Sequence, residues 1–269
     1  MALQSNTRVF IGGNPIHAFK RLMLRQDLDA HHYLELVCRM DVLEKASAEL
    51  AEESRNFLGE LLTVKVESLT DFQDYKTLEF KGVVTAVNNT KGFHAHQGDL
   101  VTIKAQSCSI LADDGPHYAS FNDVGLEDIL HQTFQGYDQG KLELSLQPVY
   151  SEALHYSVQQ HESAYQYASR LAAQYSEWFY YDGKTLHFGL PQAGEEVTLT
   201  YGHDLQEFSL NLNPVPNAFS YFTNDYLTDG QHEASTTSVN SGLNGYVGFA
   251  ANKSNEIYAK ETAVYLNAY

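Results

Sequence analysis

Two cysteines in 269 residues, Cys38 and Cys108, are too few for a disulfide framework, and neither has neighbours spaced as metal ligands. They read as buried free thiols of a reducing compartment. Basic residues are scarce as well: 17 Lys and Arg stand against 34 Asp and Glu, a formal net charge of −17. That balance argues against nucleic acid and against an anionic membrane as partners, because both are met by a basic footprint. It leaves a solvating acidic surface, or one that meets a basic partner or lines a pore. No apolar run reaches the roughly 20 residues that a spanning helix needs. The N-terminus, MALQSNTRVFIGGNPIH, has neither the basic start nor the apolar stretch of a secretory signal. The chain therefore reads as made and folded in the cytoplasm, with no signal peptide and no membrane insertion.

Chemistry-bearing motifs are missing too. There is no G-x-S-x-G elbow, no G-x-x-x-x-G-K-[ST] loop and no G-x-G-x-x-G after a strand. His161-Glu162 opens like a zinc protease helix, but the position that needs the second histidine holds Tyr165. His94 and His96 could share one face of a strand, yet have no third ligand nearby. His31 and His32 are adjacent and on a strand would point to opposite faces. The acidic pairs Glu52-Glu53 and Glu195-Glu196 read as solvated. No catalytic, cofactor-binding or metal-binding residue is identified, and no cofactor is expected.

What the chain does have is tyrosine and phenylalanine, 18 and 14 against one tryptophan. Aromatics suit half-buried pleated surfaces and favour sheet. Apolar residues make up 43% and charged residues 19%, a globular composition sufficient for one large or two ordinary domains. Residues 8–11 and 17–25 read as short strands around a turn at Gly12-Gly13-Asn14-Pro15. Alternation marks strands at 31–40, 61–68, 78–87 and 100–109. Gly82 inside the third implies a bulge or a close backbone approach. Leu43, Ala46, Leu50, Ala51 and Ser54 have helical spacing among many Glu, which reads as a short helix or an acidic loop over 41–58, and 88–98 is a turn-rich tip. Together these suggest a small barrel or curled sheet over residues 5–110.

After a hard turn at 113–116, Asn122 or Asp123 is placed to cap a helix through Leu126, Ile129, Leu130 and Phe134. A strand at 142–147 follows. Tyr156 to Gly189 then reads as strand, helix and hairpin. Ser163 and Gln166 form a capping box, and Ala164, Tyr165, Ala168, Leu171, Ala172 and Tyr175 share a helix face. Trp178–Tyr181 and Thr185–Phe188 flank Asp182-Gly183, a dipeptide suited to a type I′ turn. Beyond it, strands are expected at 197–201, 208–212 and 218–223, with a break at Asn213-Pro214-Val215-Pro216-Asn217. Residues 224–254 read as a long loop or one holding short strands such as 246–249. Ile257, Lys260, Ala263 and Val264 suggest a closing helix cut short at the terminus.

The central stretch resembles the N-terminal hub region of VgrG spike proteins of type VI secretion systems, itself similar to baseplate hubs of contractile phage tails. The residues that carry the resemblance are Tyr156, Val158, Gln159, Glu162, Ser163, Tyr167, Arg170, Leu171, Phe179, Tyr180, Asp182, Gly183, Leu186 and Phe188. Upstream, Phe80, Gly82, Val83, Val84 and Val87 follow the family's F-x-G-x-V-x-x-V strand. Phe121 with Leu126, Ile129 and Leu130 follows its next segment. The chain departs from the pattern at Ala164-Tyr165 and at Tyr175-Ser176-Glu177. The resemblance implies an α+β, mainly β fold. Two barrel-like tube domains (5–110 and 191–269, the second truncated) would be linked by a small α+β segment at 111–190.

It also implies a homotrimeric structural hub of a contractile injection apparatus, adapting a six-fold tube to a three-fold needle. The implied partners are an Hcp-like tube protein, the C-terminal needle region and spike-tip or effector proteins. Such a part would be expelled with the apparatus and would need no catalytic residue. Two other classes remain open from the residues: a tail-associated enzyme such as a cell-wall hydrolase, and a carbohydrate-binding β module using the tyrosines.

Overall fold

The computed structural model of the chain describes residues 5–40, 54–68, 77–90, 99–191, 198–202, 205–225, 228, 230–236 and 245–265. The expected acidic helix or loop falls largely outside these residues, as do the His94/His96 tip and the Glu52-Glu53 and Glu195-Glu196 pairs. The fold is mainly β, and the chain divides into two compact units, 1–192 and 193–269.

The first unit opens with seven strands in one antiparallel, curled sheet. They are β1 (Ser5–Ile11), β2 (Asn14–Ile16), β3 (Arg21–Arg25), β4 (Tyr33–Arg39), β5 (Leu61–Ser68), β6 (Leu78–Thr90) and β7 (Leu100–Ser107), in the order β2-β1-β5-β6-β7-β4-β3. Period-2 alternation in the sequence becomes alternation in depth, strictly so along β7. Val9, Ile11, Leu34, Leu36, Cys38, Leu62, Val64, Phe80, Val101 and Ile103 fill the core on one face.

Several details differ from the sequence expectation. The first turn is only Gly12-Gly13; Asn14 and Pro15 already pair with Ile11 and Phe10. A proline is tolerated there because β2 is the sheet edge, where a missing N–H costs no ladder bond. The following strand begins at Arg21, not at residue 17. At Gly82 the close approach is the correct alternative: an added Cβ would lie 2.4 Å from the Gln106 carbonyl oxygen. The irregularity in register falls later, between Val84 and Ala86. β7 stops at Ser107, and Cys108–Ala112 turn into a short 3₁₀ helix.

The rest of the first unit is α+β. It comprises β8 (His117–Gly125), α1 (Leu126–Thr133), β9 (Glu143–Gln147), β10 (Ala153–Glu162), α2 (Ala164–Tyr175), β11 (Phe179–Tyr181) and β12 (Thr185–Gly189). Asn122 and Asp123 do not cap α1. They belong to β8, which pairs with β10 over its length, and the N-cap is Gly125 with no side-chain bond. A cross-strand ladder here prevails over a local cap. Leu126, Ile129, Leu130 and Phe134 are buried as the spacing requires, against Leu146, Tyr167, Ala168, Leu171, Leu186 and Phe188.

In the second unit, β13 (Phe219–Asp225) is flanked by β14 (Gly230–Ser235) and by β15 (Thr262–Tyr265), the latter parallel to it. Helix α3 (Gly245–Ile257) lies between them in sequence. Three expectations fail here. Residues 198–200 and 208–212 form no strand: Tyr201 makes only an isolated bridge to Leu205, and Phe208–Leu212 pair with nothing described. Residues 246–249 are helical, because a short apolar run such as YVGFAA does not distinguish helix from strand by period. The segment containing Ala263 and Val264 is β15, not a helix; Thr262, Val264 and Tyr265 suit the pleat they join.

Candidate functional site

The stretch that carries the family resemblance is built around a bracketed helix. Ser163 caps α2 as the sequence requires: its Oγ accepts from the Gln166 N–H at 3.1 Å, and the Gln166 side chain accepts from the Ser163 N–H at 3.2 Å. One turn further along, Arg170 reaches back over the end of β10. Its Nε and Nη2 donate to the two oxygens of Glu162 at 2.7 and 2.8 Å, and Nη2 also donates to the Val158 carbonyl at 2.7 Å. The hydrogen bond from Arg170 holds the Glu162 carboxyl below its usual range, and the same bond raises the guanidinium. The guanidinium also lies 5.1 Å from the Tyr167 ring. Tyr167 is fully buried, stacks near Phe121 and bonds Ser157 through its hydroxyl at 2.7 Å. The sequence-derived helix face omitted Tyr167; it includes Tyr165, which is only half-buried. Leu171 is buried at the same face, while Tyr156 is exposed on the outer face of β10.

The hairpin after α2 docks this unit on the large sheet. Asp182 and Gly183 lie at the turn, but the central pair is Gly183-Lys184, one residue later than expected. Tyr181 pairs with Leu186, and the Asp182 N–H donates to the Thr185 carbonyl. Only Gly183 of these two has positive φ, the sign pattern of a type II′ turn and not of type I′. Asp182 is the reason for the shift: its Oδ1 accepts from the N–H groups of both Lys184 and Thr185 at 2.8 Å. Burial alone would raise that carboxyl, yet these bonds and His187 hold it below its ordinary value.

The Gly183 carbonyl accepts from the Lys81 N–H at 2.6 Å, and the Tyr181 hydroxyl donates to the Lys81 carbonyl at 2.9 Å. The Lys81 side chain closes the contact with bonds to Gly140 O and Glu143 at 2.9 and 2.8 Å. Phe179 and Phe188 pack together behind the hairpin, and Tyr180 stacks on His187.

A second tie uses residues that sequence reading did not combine. His31 Nδ1 lies 2.8 Å from Ser109 Oγ, and its Nε2 lies 3.4 Å from Asp113 Oδ2. Ser, His and Asp together invite comparison with a hydrolase. The geometry argues otherwise: the ring presents Nδ1 to the serine, where a triad uses Nε2. Ser109 is buried and shares its hydroxyl with Ser107 at 2.7 Å. Asp113 also accepts from the capping Ser163 at 2.5 Å. The network joins the start of β4, the 3₁₀ turn after β7 and the cap of α2. Burial lowers the His31 pKa despite Asp113. Only proximity in the fold assembles these residues, so no local motif announces them. Among the described residues, no three His, Cys, Asp or Glu side chains are grouped to hold a metal ion.

A groove of about 720 Å³ lies between β8 and the end of α1. Tyr118, Ala119, Ser120 and Phe121 form one wall, and Gln132, Gln135 and Tyr137 form the other. Buried Gln159 lies at its floor, its Nε2 donating to the Glu162 carbonyl at 3.0 Å. At one end Tyr137 and His117 converge on Asp114 Oδ1, each at 2.9 Å.

Residues 32–203 match the model of the phage tail baseplate hub (GPD) family. The sequence matches no curated protein. Among solved structures, a tail protein from Neisseria meningitidis MC58 has a TM-score of 0.60 at 11% identity, covering 98% of this chain and 72% of that one. The prophage MuSo2 43 kDa tail protein from Shewanella oneidensis also reaches 0.60, at 12% identity and 99% and 74% coverage. A chain of the lidded Francisella PdpA-VgrG complex reaches 0.51 at 10% identity, covering 99% of this chain and 41% of that one. At such identities the likeness is one of fold.

Proposed function

The chain belongs to the phage tail baseplate hub (GPD) family, and from that premise we propose that it is the structural hub of a contractile injection apparatus, adapting a six-fold tube to a three-fold needle. The observation that carries the reading is the family match itself, which spans the large sheet from β4 and the whole β-α-β-β unit. In this reading three copies form a ring, and each copy contributes two tube-like units in the place of two tube subunits. An Hcp-like tube protein stacks on one side; the needle, spike-tip proteins and effectors lie on the other. The likeness in fold to a chain of a PdpA-VgrG complex supports an effector-bearing spike among the candidates.

The part acts by shape and not by bond chemistry. The hydrogen-bonded ties through Lys81–Gly183 and Asp113–Ser163 suit a rigid spacer that transmits load. It is folded in the cytoplasm and leaves the cell with the apparatus.

The test is assembly. Static light scattering of the full chain should give a trimer, alone or after its needle region is supplied, and the trimer should retain the tube protein in a pull-down. A chain that stays monomeric with its needle restored and never retains tube protein overturns the reading.

A further inference from the structure

Each wall of the groove between β8 and α1 holds one tyrosine tied at its hydroxyl end. Tyr118 of β8 is 69% exposed, yet its hydroxyl lies 2.9 Å from His161 Nδ1. His161 is the bulged residue of β10, where the register shifts between Gln160 and Glu162, and its φ is +59. Residues other than glycine rarely adopt that left-handed conformation, and a bulge re-aims the side chain it carries. On the other wall the Tyr137 hydroxyl donates to Asp114 Oδ1 at 2.9 Å, and its ring packs on Phe134 with centroids 6.3 Å apart.

Around these rings the groove offers hydrogen-bonding groups that the fold does not use. The Ser120 hydroxyl and the Gln132 and Gln135 amides line it and have no partner among the described residues. Each of them can both donate and accept. None of the described lining residues is Lys or Arg, so an anionic ligand finds no countercharge. The one lining carboxylate, Asp114, is already engaged by His117 and Tyr137. The apolar lining is slight as well. Ala119 is half-buried and Phe121 buried, which leaves little for a lipid or for the apolar centre of a protein contact.

A neutral sugar chain fits this combination. The C–H face of a sugar ring stacks on an aromatic ring, its hydroxyls donate and accept, and it carries no charge. The volume of about 720 Å³ falls within the range of ligand clefts, about 300–1,000 Å³, and suits a short oligosaccharide. We propose that the groove binds a neutral oligosaccharide, with Tyr118 and Tyr137 as stacking platforms and with Ser120, Gln132 and Gln135 bonding its hydroxyls. His161 is a positioning residue that holds Tyr118. The inference goes beyond the hub reading, since a ring-forming spacer needs no glycan and the groove is built within one chain.

Saturation-transfer NMR on the full chain tests it, with chitohexaose, cellohexaose and maltohexaose as neutral probes. At least one should receive saturation. Its titration should weaken about tenfold in Tyr118→Ala and in the Gln132→Ala/Gln135→Ala double variant. Tyr156→Ala removes a tyrosine that is 60% exposed on β10 but outside the groove, and should leave binding unchanged. His161→Gly keeps the left-handed backbone without strain and loses the tie to Tyr118, so it should weaken binding with no fall in melting temperature. No transfer to any of the three probes at millimolar concentration overturns the inference. So does binding that Tyr118→Ala leaves intact, or that Tyr156→Ala weakens as much. Tighter binding of hexagalacturonate or of a neutral Ser-Gly hexapeptide overturns the neutral-glycan assignment. None of these outcomes bears on the trimer measurement that tests the hub.

Discussion

Replacing Gly183 by alanine tests the contact that docks the β-α-β-β unit on the large sheet. Gly183 has φ +108, and an added Cβ would lie 2.3 Å from the Glu79 carbonyl oxygen. Backbone held in a region disfavoured for L-residues costs about 1–3 kcal/mol. The clash is with backbone, so the turn must lift from β6 and lose the bond from Lys81 N–H to Gly183 O, a further loss of about 0.5–1.5 kcal/mol. The total is about 1.5–4.5 kcal/mol, which for a unit of this size lowers the melting temperature by about 2–4 °C per kcal/mol. Gly13 supplies the control. It also has positive φ, +82, but among the described residues nothing lies within 4 Å of its would-be Cβ. Gly13→Ala should cost only the backbone strain, about 1–2 kcal/mol. Thermal melts of the two variants beside the parent separate strain from docking. If Gly183→Ala melts no lower than Gly13→Ala, the hairpin does not hold the unit to the sheet and the reasoning fails.

Two further outcomes concern buried titratable groups. Burial lowers the pKa of both His31 and His32. The unfolded chain therefore takes up these protons first, so their contribution to stability is complete above about pH 6.5 and is lost as pH falls below it toward the folded values. Melting temperature should fall between about pH 7 and pH 5, before carboxylates titrate, and fall less in His31→Gln; a rise on acidification contradicts the assignment. Burial pushes the thiols of Cys38 and Cys108 up to about 11. Both should resist a thiol reagent at pH 8 in the folded chain and react together in denaturant, and rapid labelling of either in the native state refutes their burial.

Much was legible wherever the determinant was local. The Ser163–Gln166 box needs only two side chains three residues apart, and the structure holds both bonds. The alternation of 100–107 carries over into strict alternation in depth. Asp182-Gly183 marked the turn, although the bonds accepted by Asp182 move its centre by one residue. Legibility ended where a partner distant in sequence decides. Asn122 and Asp123 look like helix caps until β10 pairs with them. Phe208–Leu212 looks like a strand and has none to pair with among the described residues.

The sequence by itself determined the local codes: which stretches are pleated, where α2 begins, where the hairpin turns, and a family pattern specific enough to identify the hub. Those follow from the two periods of the backbone and from side chains that bond their own neighbours. Only the tertiary structure decided that His31, Ser109, Asp113 and Ser163 meet, that Gly183 presses on Glu79, and that β8 takes β10 as its strand partner. These are contacts between segments tens of residues apart, and their geometry is set by packing, which no single stretch encodes.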